Sequence, residues 1–214
     1  MNNISQYQTE FEIKLLSVDR VKIKGFFLNL IKNYTREQII NDLIAPSLTK
    51  IGSMWENGDA ALSQIYMSGK LCEEIVTDFF PKYSGTLKNT PKIGLAVLED
   101  YHAFGMQIIR LYLKATGIKV ITYELGITSE ELELKVIEDK IEILLISTLM
   151  LRSALKIKLL IRNFRKNKKE ILVIVGGAPF NLDKSLWIKV GADAMSVNAF
   201  EVIPLIKKLK KVEF

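Results

Sequence analysis

The order of apolar runs after residue 91 constrains the fold of this chain more than any other feature of its sequence. Short, almost entirely apolar runs recur there, and segments with apolar residues at helical spacing separate them. The runs are residues 92–98, 119–123, 143–147, 171–175 and 193–197, and the helical segments are 103–116, 129–139, 152–166, 182–190 and 199–211. Strands that alternate with helices in this way predict an α/β domain with a five-stranded parallel sheet covered on both faces.

The residues before 83 contain helical patterns only. Four segments with apolar residues at helical spacing lie within residues 4–80. Thr35 and Gln38 predict a capping box at the start of the third segment, and Pro46 predicts a kink or short break inside it. Four helices joined by short loops predict an antiparallel bundle. We therefore expect a helical domain over residues 1–83, a linker over 84–91 and the α/β domain over 92–214.

Composition narrows the class of protein further. The 214 residues contain one cysteine, Cys72, which excludes an internal disulfide framework and is typical of a reducing compartment. No run approaches the ~18 apolar residues that a membrane span needs. The N-terminus has no basic segment leading into an apolar one, so it does not resemble a signal peptide. The expected location is the cytoplasm.

The formal net charge of +6 is unevenly distributed. Residues 1–90 contain 10 Lys/Arg and 10 Asp/Glu, so the excess lies in the second half. Eight basic residues occur between Arg152 and Lys169, on a predicted helix. We interpret this run as a solvated helix face, although such runs also occur where an acidic partner binds. Phe164 is the only aromatic residue among these charges, which argues against a nucleic-acid surface.

Candidate functional residues follow three of the predicted strands. In a parallel sheet, ligands bind where the loops meet at the carboxyl ends of the strands. The residues in these loops that suit a ligand site are Asp100, His102 and Gly105 after the first strand, Ser147 and Leu149 at the end of the third, and Gly176 and Gly177 after the fourth.

His102 is the only histidine of the chain. An imidazole that binds a metal through one nitrogen needs a partner for the N–H of the other, and Asp100 is placed to be that partner. A zinc or iron site made by protein side chains would need two or three more ligands, which this sequence does not offer. One histidine is sufficient when the metal arrives already ligated, as in a tetrapyrrole or a corrin.

The small residues of the three loops predict a slot beside the sheet. Gly105 and the Gly176–Gly177 pair would let a ligand pass close to the backbone. Taken singly, a Gly-Gly pair after a strand is equally well an ordinary turn, and Ser147 an ordinary strand-end hydroxyl. Together they indicate a slot that runs down from the top of the sheet.

The residues D-x-H-x-x-G (100–105), S-x-L (147–149) and G-G (176–177) resemble the cobalamin-binding domain shared by cobalamin-dependent methionine synthase, corrinoid methyltransferase proteins and the adenosylcobalamin mutases. Here 41 residues separate Gly105 from Ser147 and 26 separate Leu149 from Gly176, and both gaps are similar to the family spacing. The resemblance implies a Rossmann-like, flavodoxin-like cobalamin-binding domain.

The resemblance continues upstream. Residues 51–58 and 62–64 resemble the helical cap domain of the methyl-transferring members, whose pattern is G-x-x-W/F-E-x-G-x-x-x-x-P-Q. Ser63 replaces the proline of that pattern. Light-sensing relatives have Glu-His where this chain has Ile65-Tyr66, so the histidine that can bind the upper cobalt face is absent. By this resemblance Trp55 and Tyr66 are candidates to contact the upper face, and Tyr66 is equally well an aromatic residue of the bundle core.

The family resemblance also implies how the cofactor is held. The benzimidazole tail leaves the cobalt and enters the slot lined by Gly105, Ser147, Leu149, Gly176 and Gly177, and His102 becomes the lower ligand. Asp100 orients His102. Ser153 lies where methionine synthase has a serine that extends this relay, although a serine near a helix start is equally common.

Among the functions that this family performs, we favour a corrinoid protein that carries a methyl group on cobalamin between separate methyltransferases. The sequence contains no recognisable substrate barrel, so a carrier subunit is expected rather than a complete enzyme. The alternative is a cobalamin-dependent sensor or regulatory module. We expect no membrane partner and no nucleic-acid partner.

Overall fold

The structure, a computed structural model, describes residues 4–79, 91–167 and 170–211. The chain divides into two compact units. The described residues up to Phe79 form the first unit together with Leu111–Ile118, and the remaining described residues form the second. Apart from Pro91, the predicted linker lies outside the described residues.

The described residues of the first unit are helical, as predicted. A short 3-10 turn precedes α1, and four successive helical stretches follow the order expected from the sequence. The elements are the 3-10 turn Ile4–Tyr7, α1 (Gln8–Leu16), α2 (Arg20–Leu30), α3 (Arg36–Gln38), a π-helix (Ile39–Ile44), α4 (Ala45–Glu56) and α5 (Leu62–Phe79). Thr35 and Gln38 form the predicted capping box, and Asp19 caps α2 by accepting from two backbone N–H groups.

The irregularity predicted at Pro46 takes the form of a π-helix rather than a break. The helix continues through α3, the π-helix and α4 without interruption. Proline has no N–H to donate, and its ring presses on the carbonyl four residues earlier. The turns before Pro46 are widened, and the N–H of Ala45 donates to the carbonyl of Ile40, five residues back. The wider turn accommodates the proline at the start of α4.

The core of this unit is aliphatic and aromatic. Phe11 and Phe27 are fully buried, and their ring centroids lie 5.5 Å apart. Leu15, Leu43 and Ile51 are buried beside them in the same unit. Each such side chain contributes about 1.5–3 kcal/mol through removal from water, so these positions fix the bundle.

The second unit contains a five-stranded parallel sheet in the order β2-β1-β3-β4-β5. The strands are β1 (Ile93–Ala96), β2 (Val120–Thr122), β3 (Ile143–Ser147), β4 (Leu172–Gly176) and β5 (Ala194–Ser196). This is the flavodoxin-like order, in which ligands bind at the carboxyl ends of the strands. The predicted Rossmann-like sheet is therefore confirmed.

Helices follow each strand. They are α6 (Phe104–Ala115), α7 (Ser129–Glu138), α8 (Leu151–Lys166), α9 (Ala178–Leu182), α10 (Leu186–Val190) and α11 (Val202–Lys210), the last preceded by the 3-10 turn Ala199–Glu201. The single helix predicted over 182–190 is instead the pair α9 and α10. Asp183 separates the two because its carboxylate accepts from the backbone N–H and hydroxyl of Ser185 in a turn. Among the described residues, no helix is long and apolar enough to cross a membrane.

Candidate cofactor site

The strand register places two of the predicted slot residues, Ser147 and Gly176, in one row with Ser196. Ser147 at the end of β3 pairs with Gly176 of β4, and Gly176 pairs with Ser196 of β5. The three residues form a row at the carboxyl edge of the sheet. The loop after β1, which contains Asp100 and His102, belongs to the same edge.

Asp100 and His102 form a short side-chain pair. The Asp100 Oδ1 atom lies 2.5 Å from Nδ1 of His102 and also accepts from the His102 backbone N–H at 3.1 Å. Because an ionised carboxylate only accepts, Nδ1 carries the proton of this hydrogen bond, and Nε2 is the ring nitrogen left to bind a ligand. The Asp100 side chain is 2% exposed, whereas the His102 side chain is 55% exposed. The pair therefore presents a fixed imidazole to the outside of the unit.

The second oxygen of Asp100 is held by the start of α8. Asp100 Oδ2 accepts from the backbone N–H groups of Leu149 at 3.1 Å and Met150 at 3.2 Å. Burial by itself would raise the pKa of Asp100, but the hydrogen bonds from His102, Leu149 and Met150 outweigh it and lower the pKa to about 2. Asp100 is therefore ionised at any physiological pH, as a partner of a metal-binding imidazole should be.

The Asp100 loop is also fixed through its backbone. The carbonyl of Asp100 accepts from the N–H of Gly126 at 2.9 Å. Gly126 has a φ of +75°, a backbone conformation that residues with a side chain rarely adopt. Glycine at this position therefore favours the turn that brings the segment after β2 to this loop.

The predicted slot glycines lie close to neighbouring atoms of the protein, and one of them, Gly105, approaches another predicted slot residue. A Cβ atom on Gly105 would lie 2.8 Å from Oγ of Ser147, so these two residues border the same space. Gly177 has a φ of +112°, and a Cβ atom there would lie 1.9 Å from the carbonyl oxygen of Thr148. Gly176 approaches the carbonyl of Ser196 in the same way, at 3.0 Å. The Gly176–Gly177 pair is thus required by the close packing of the protein's own backbone, and its contact with a ligand stays a prediction.

One buried hydroxyl in this region has no partner. Thr148 is 3% exposed, and its Oγ1 makes no hydrogen bond within the described residues. Burying a hydroxyl without a partner costs about 1–3 kcal/mol. A hydroxyl in this state between Ser147 and Leu149 is consistent with a site that receives a polar atom of a ligand.

Ser153 does not make the hydrogen bond expected of it. Its hydroxyl donates to the backbone carbonyl of Glu99 at 3.1 Å rather than to Asp100. The Asp100 oxygens already accept from the His102 ring, the His102 N–H and the two N–H groups of α8, so they are occupied. In this arrangement the serine holds the residue before Asp100, and its part in a relay stays a prediction.

Trp55 and Tyr66 belong to the helical unit. Trp55, in α4, is 40% exposed, and Tyr66, in α5, is half-buried. Their contact with the upper face of a cofactor stays a prediction.

The sequence analysis did not identify several residues that the structure places in the site. The N–H groups of Leu149 and Met150 are backbone donors, and a sequence motif shows side chains only. Gly126 could have been identified as a turn glycine before the capping residue Thr128, but not as a partner of Asp100. Glu99 and Lys156, whose charged groups form an ion pair, gave no sequence signal at all.

Comparison with known proteins identifies the family of the chain. Residues 91–203 match the family described as the B12 binding domain, and residues 8–77 match a second family with the same description. The chain belongs to the B12-binding domain family. Its cofactor is therefore a corrinoid, as the resemblance predicted, and the helical unit coincides with the part of the chain that the second family matches.

Known relatives include corrinoid proteins. Monomethylamine corrinoid protein 1 of Methanosarcina barkeri is 28% identical over 182 residues, which cover 81% of this chain and 82% of that protein. Among solved structures, a cobalamin-binding protein from Desulfitobacterium hafniense DCB-2 matches with a TM-score of 0.75 at 20% identity, covering 94% of this chain and 97% of the other. The methanol:cobalamin methyltransferase complex of Methanosarcina barkeri matches with a TM-score of 0.67 at 16% identity, covering 95% and 79%. These structural likenesses show the fold.

The residues present fit a corrinoid. A corrin already supplies most of the ligands of its metal, so the protein needs to add a single ligand. An exposed imidazole whose Nδ1 proton is held by a buried carboxylate meets this requirement. No cluster of three or more His, Cys, Asp or Glu side chains that could hold a bare metal ion occurs within the described residues. Thr148, whose hydroxyl has no hydrogen-bond partner within the described residues, directly follows Ser147 in the sequence. The cofactor tail is expected beside Ser147 and Gly105.

Proposed function

We propose that this protein is a corrinoid methyl carrier that receives a methyl group from one methyltransferase and delivers it to another. The observation that carries the proposal is the 2.5 Å pair of Asp100 and His102 at the ligand edge of the sheet. The relationship to methanogen corrinoid proteins supports it. The bound corrinoid would supply the methyl-transfer chemistry at its cobalt.

In this proposal His102 is the lower ligand and binds through Nε2. Asp100 keeps the Nδ1 proton in place, which fixes the tautomer and increases the electron donation of the imidazole. An imidazole not bound to the metal could hold a proton at Nε2, and the Asp100 carboxylate would stabilise the resulting cation. Because Asp100 is ionised and buried, this stabilisation is available at every physiological pH.

The cofactor tail would occupy the slot bordered by Gly105 and Ser147, with Leu149 and the Gly176–Gly177 pair along its length. The Thr148 hydroxyl would then find a hydrogen-bond partner in the tail.

A methyl-transfer assay tests the carrier function. The protein loaded with 14C-methylcobalamin is mixed with a thiol acceptor, with and without a corrinoid-dependent methyltransferase that acts on thiols. A carrier should transfer its label at least ~100-fold faster with the enzyme, as expected of bound and oriented reactants, and faster than free methylcobalamin at the same concentration. If the enzyme gives no acceleration over free cofactor, the carrier function is wrong, and the sensor alternative gains support.

A further inference from the structure

Glu99, the residue before Asp100, has an unusual backbone conformation. Its φ is +45°, in the left-handed region that residues with a side chain rarely adopt. The other described non-glycine residues with positive φ, Val18, Lys140 and Lys211, all follow the last turn of a helix, where this conformation is common. Glu99 follows a strand, so no helix end explains its conformation.

Every polar group of Glu99 is engaged. Its N–H donates to the carbonyl of Ile127 at 3.0 Å, and its carbonyl accepts from Ser153 Oγ at 3.1 Å. Its carboxylate forms an ion pair with Lys156 through Oε2 and accepts from Ser129 Oγ at 3.4 Å through Oε1. The partners come from residues 127–129, at the start of α7, and from α8, so two separate parts of the unit hold one residue.

These contacts bear directly on Asp100. Helix α8 contacts Glu99 through Ser153 and Lys156. The backbone N–H groups of Leu149 and Met150, directly before α8, bind the Asp100 carboxylate. The φ angle of Glu99 sets the direction in which the chain enters Asp100. If Glu99 relaxed to an ordinary negative φ, the Asp100 side chain would turn away from the N–H groups before α8 and from Nδ1 of His102.

We propose that Glu99 and Lys156 form a positioning pair that holds the residue before Asp100 in its left-handed conformation and thereby orients the imidazole of His102. The inference rests on the proposed role of His102 as the cobalt ligand. Glu99 and Lys156 are positioning residues, since neither is placed in contact with the cofactor. The ion pair and the two serine hydrogen bonds offset the strain of the left-handed backbone.

Two substitutions at position 99 separate positioning from simple stability. Glu99→Ala and Glu99→Gly both remove the ion pair, but only glycine adopts a φ of +45° without strain. Lys156→Met removes the charge and keeps the length of the side chain. Lys158→Met is the matched control, because Lys158 is exposed on the same helix and forms no ion pair within the described residues.

The first readout is the cofactor-free protein. His102 is the only histidine, so nitrogen-15 labelling of histidine gives one imidazole by NMR. Glu99→Ala and Lys156→Met should move the Nδ1 signal towards that of a free imidazole that exchanges between tautomers. Glu99→Gly and Lys158→Met should keep the signal of the unaltered protein. Circular dichroism at the same temperature confirms that each variant is folded.

The second readout is the Co(II) form by electron paramagnetic resonance. Glu99→Ala and Lys156→Met should lower the fraction with a histidine ligand by about 3–10-fold. This is less than the roughly 10–100-fold loss expected when the partner of a metal-bound histidine is itself removed, because Asp100 is still present. Glu99→Gly should recover most of that loss. If Ala, Gly and the Lys156 variant all match the unaltered protein in both readouts, or if Gly is as impaired as Ala, the positioning pair is overturned.

The two proposals fail separately. If the unaltered protein shows no histidine ligand at cobalt, the role of His102 is wrong. The NMR comparison of the cofactor-free variants then still reports whether Glu99 and Lys156 orient the Asp100–His102 pair.

Discussion

The carboxylate of Asp100 lies 2.5 Å from Nδ1 of His102, and the two side chains differ sharply in exposure. Asp100 is withdrawn from solvent and held by three backbone N–H groups, while the imidazole projects outward. The buried carboxylate of Asp100 holds Nδ1 of the accessible ring, which leaves Nε2 as the nitrogen that can bind a ligand. This arrangement is what the proposed role of His102 as the single protein ligand to cobalt requires.

Replacing Asp100 with asparagine should weaken cobalamin binding. Asparagine keeps the shape of the side chain but loses the charge that fixes the tautomer, so we expect the Kd to rise about 10–100-fold. Equilibrium titration with hydroxocobalamin measures it. Asp183→Asn is the control, because Asp183 is a surface residue whose partners are Ser185 and Lys189. An Asp100→Asn variant that binds as tightly as the control would contradict the role of the carboxylate.

Asp100 should also make stability depend on pH in acid. The pKa of its carboxyl is about 2 in the folded protein against an ordinary value of 3.8. A lowered folded-state pKa contributes stability that is fully present above the unfolded-state value and is lost as the pH falls from about 4 to about 2. The free energy of unfolding of the unaltered protein should therefore approach that of Asp100→Asn across this window. Urea titrations at pH 2.5, 3.5 and 6 test it, and a constant difference between the two proteins would show that Asp100 is not responsible.

The Gly177→Ala substitution should destabilise the α/β unit. The added Cβ would meet the carbonyl of Thr148 at 1.9 Å, at a φ that alanine avoids, so we expect a loss of about 2–3 kcal/mol. Gly25→Ala, in an exposed part of α2 with nothing within 4 Å of the new atom, should instead stabilise by about 0.5–1 kcal/mol.

Tryptophan fluorescence assigns each effect to a unit. The two tryptophans, Trp55 and Trp187, belong to different units, so a Trp55→Phe background reports the α/β unit alone during urea unfolding. A Gly177→Ala protein as stable as its parent in that background would contradict the packing described here.

Much of the fold follows from sequence periodicity, because burial on both faces forces continuous apolar strands. Ile143–Ser147 was predicted at its observed bounds for that reason. The form of two backbone irregularities was not predictable. The π-helix before Pro46 is the response of the backbone to the missing N–H of proline, and the left-handed conformation of Glu99 accompanies contacts with residues distant in the chain. In the site, the motif located Asp100 and His102, but the N–H donors before α8 have no side-chain signature.

The tail slot can be tested where Gly105 meets Ser147. Gly105→Ala should place a methyl group against the Ser147 hydroxyl and weaken cobalamin binding about tenfold, through overpacking of roughly 1–3 kcal/mol. Cobinamide, which has no nucleotide tail, should bind almost as before. Adding Ser147→Gly should relieve the contact and restore cobalamin binding. Equal weakening of both ligands would show that these two residues do not line the slot.

The central claim is that His102 binds the cobalt, and electron paramagnetic resonance of the Co(II) form measures this directly. The protein is reconstituted with cobalamin, reduced to Co(II) and compared with and without nitrogen-15 in its single histidine. We expect a splitting from one nitrogen that changes from three lines to two on labelling. A splitting that is unaltered by the label would mean that the benzimidazole or another group occupies the lower position and that His102 is not the ligand.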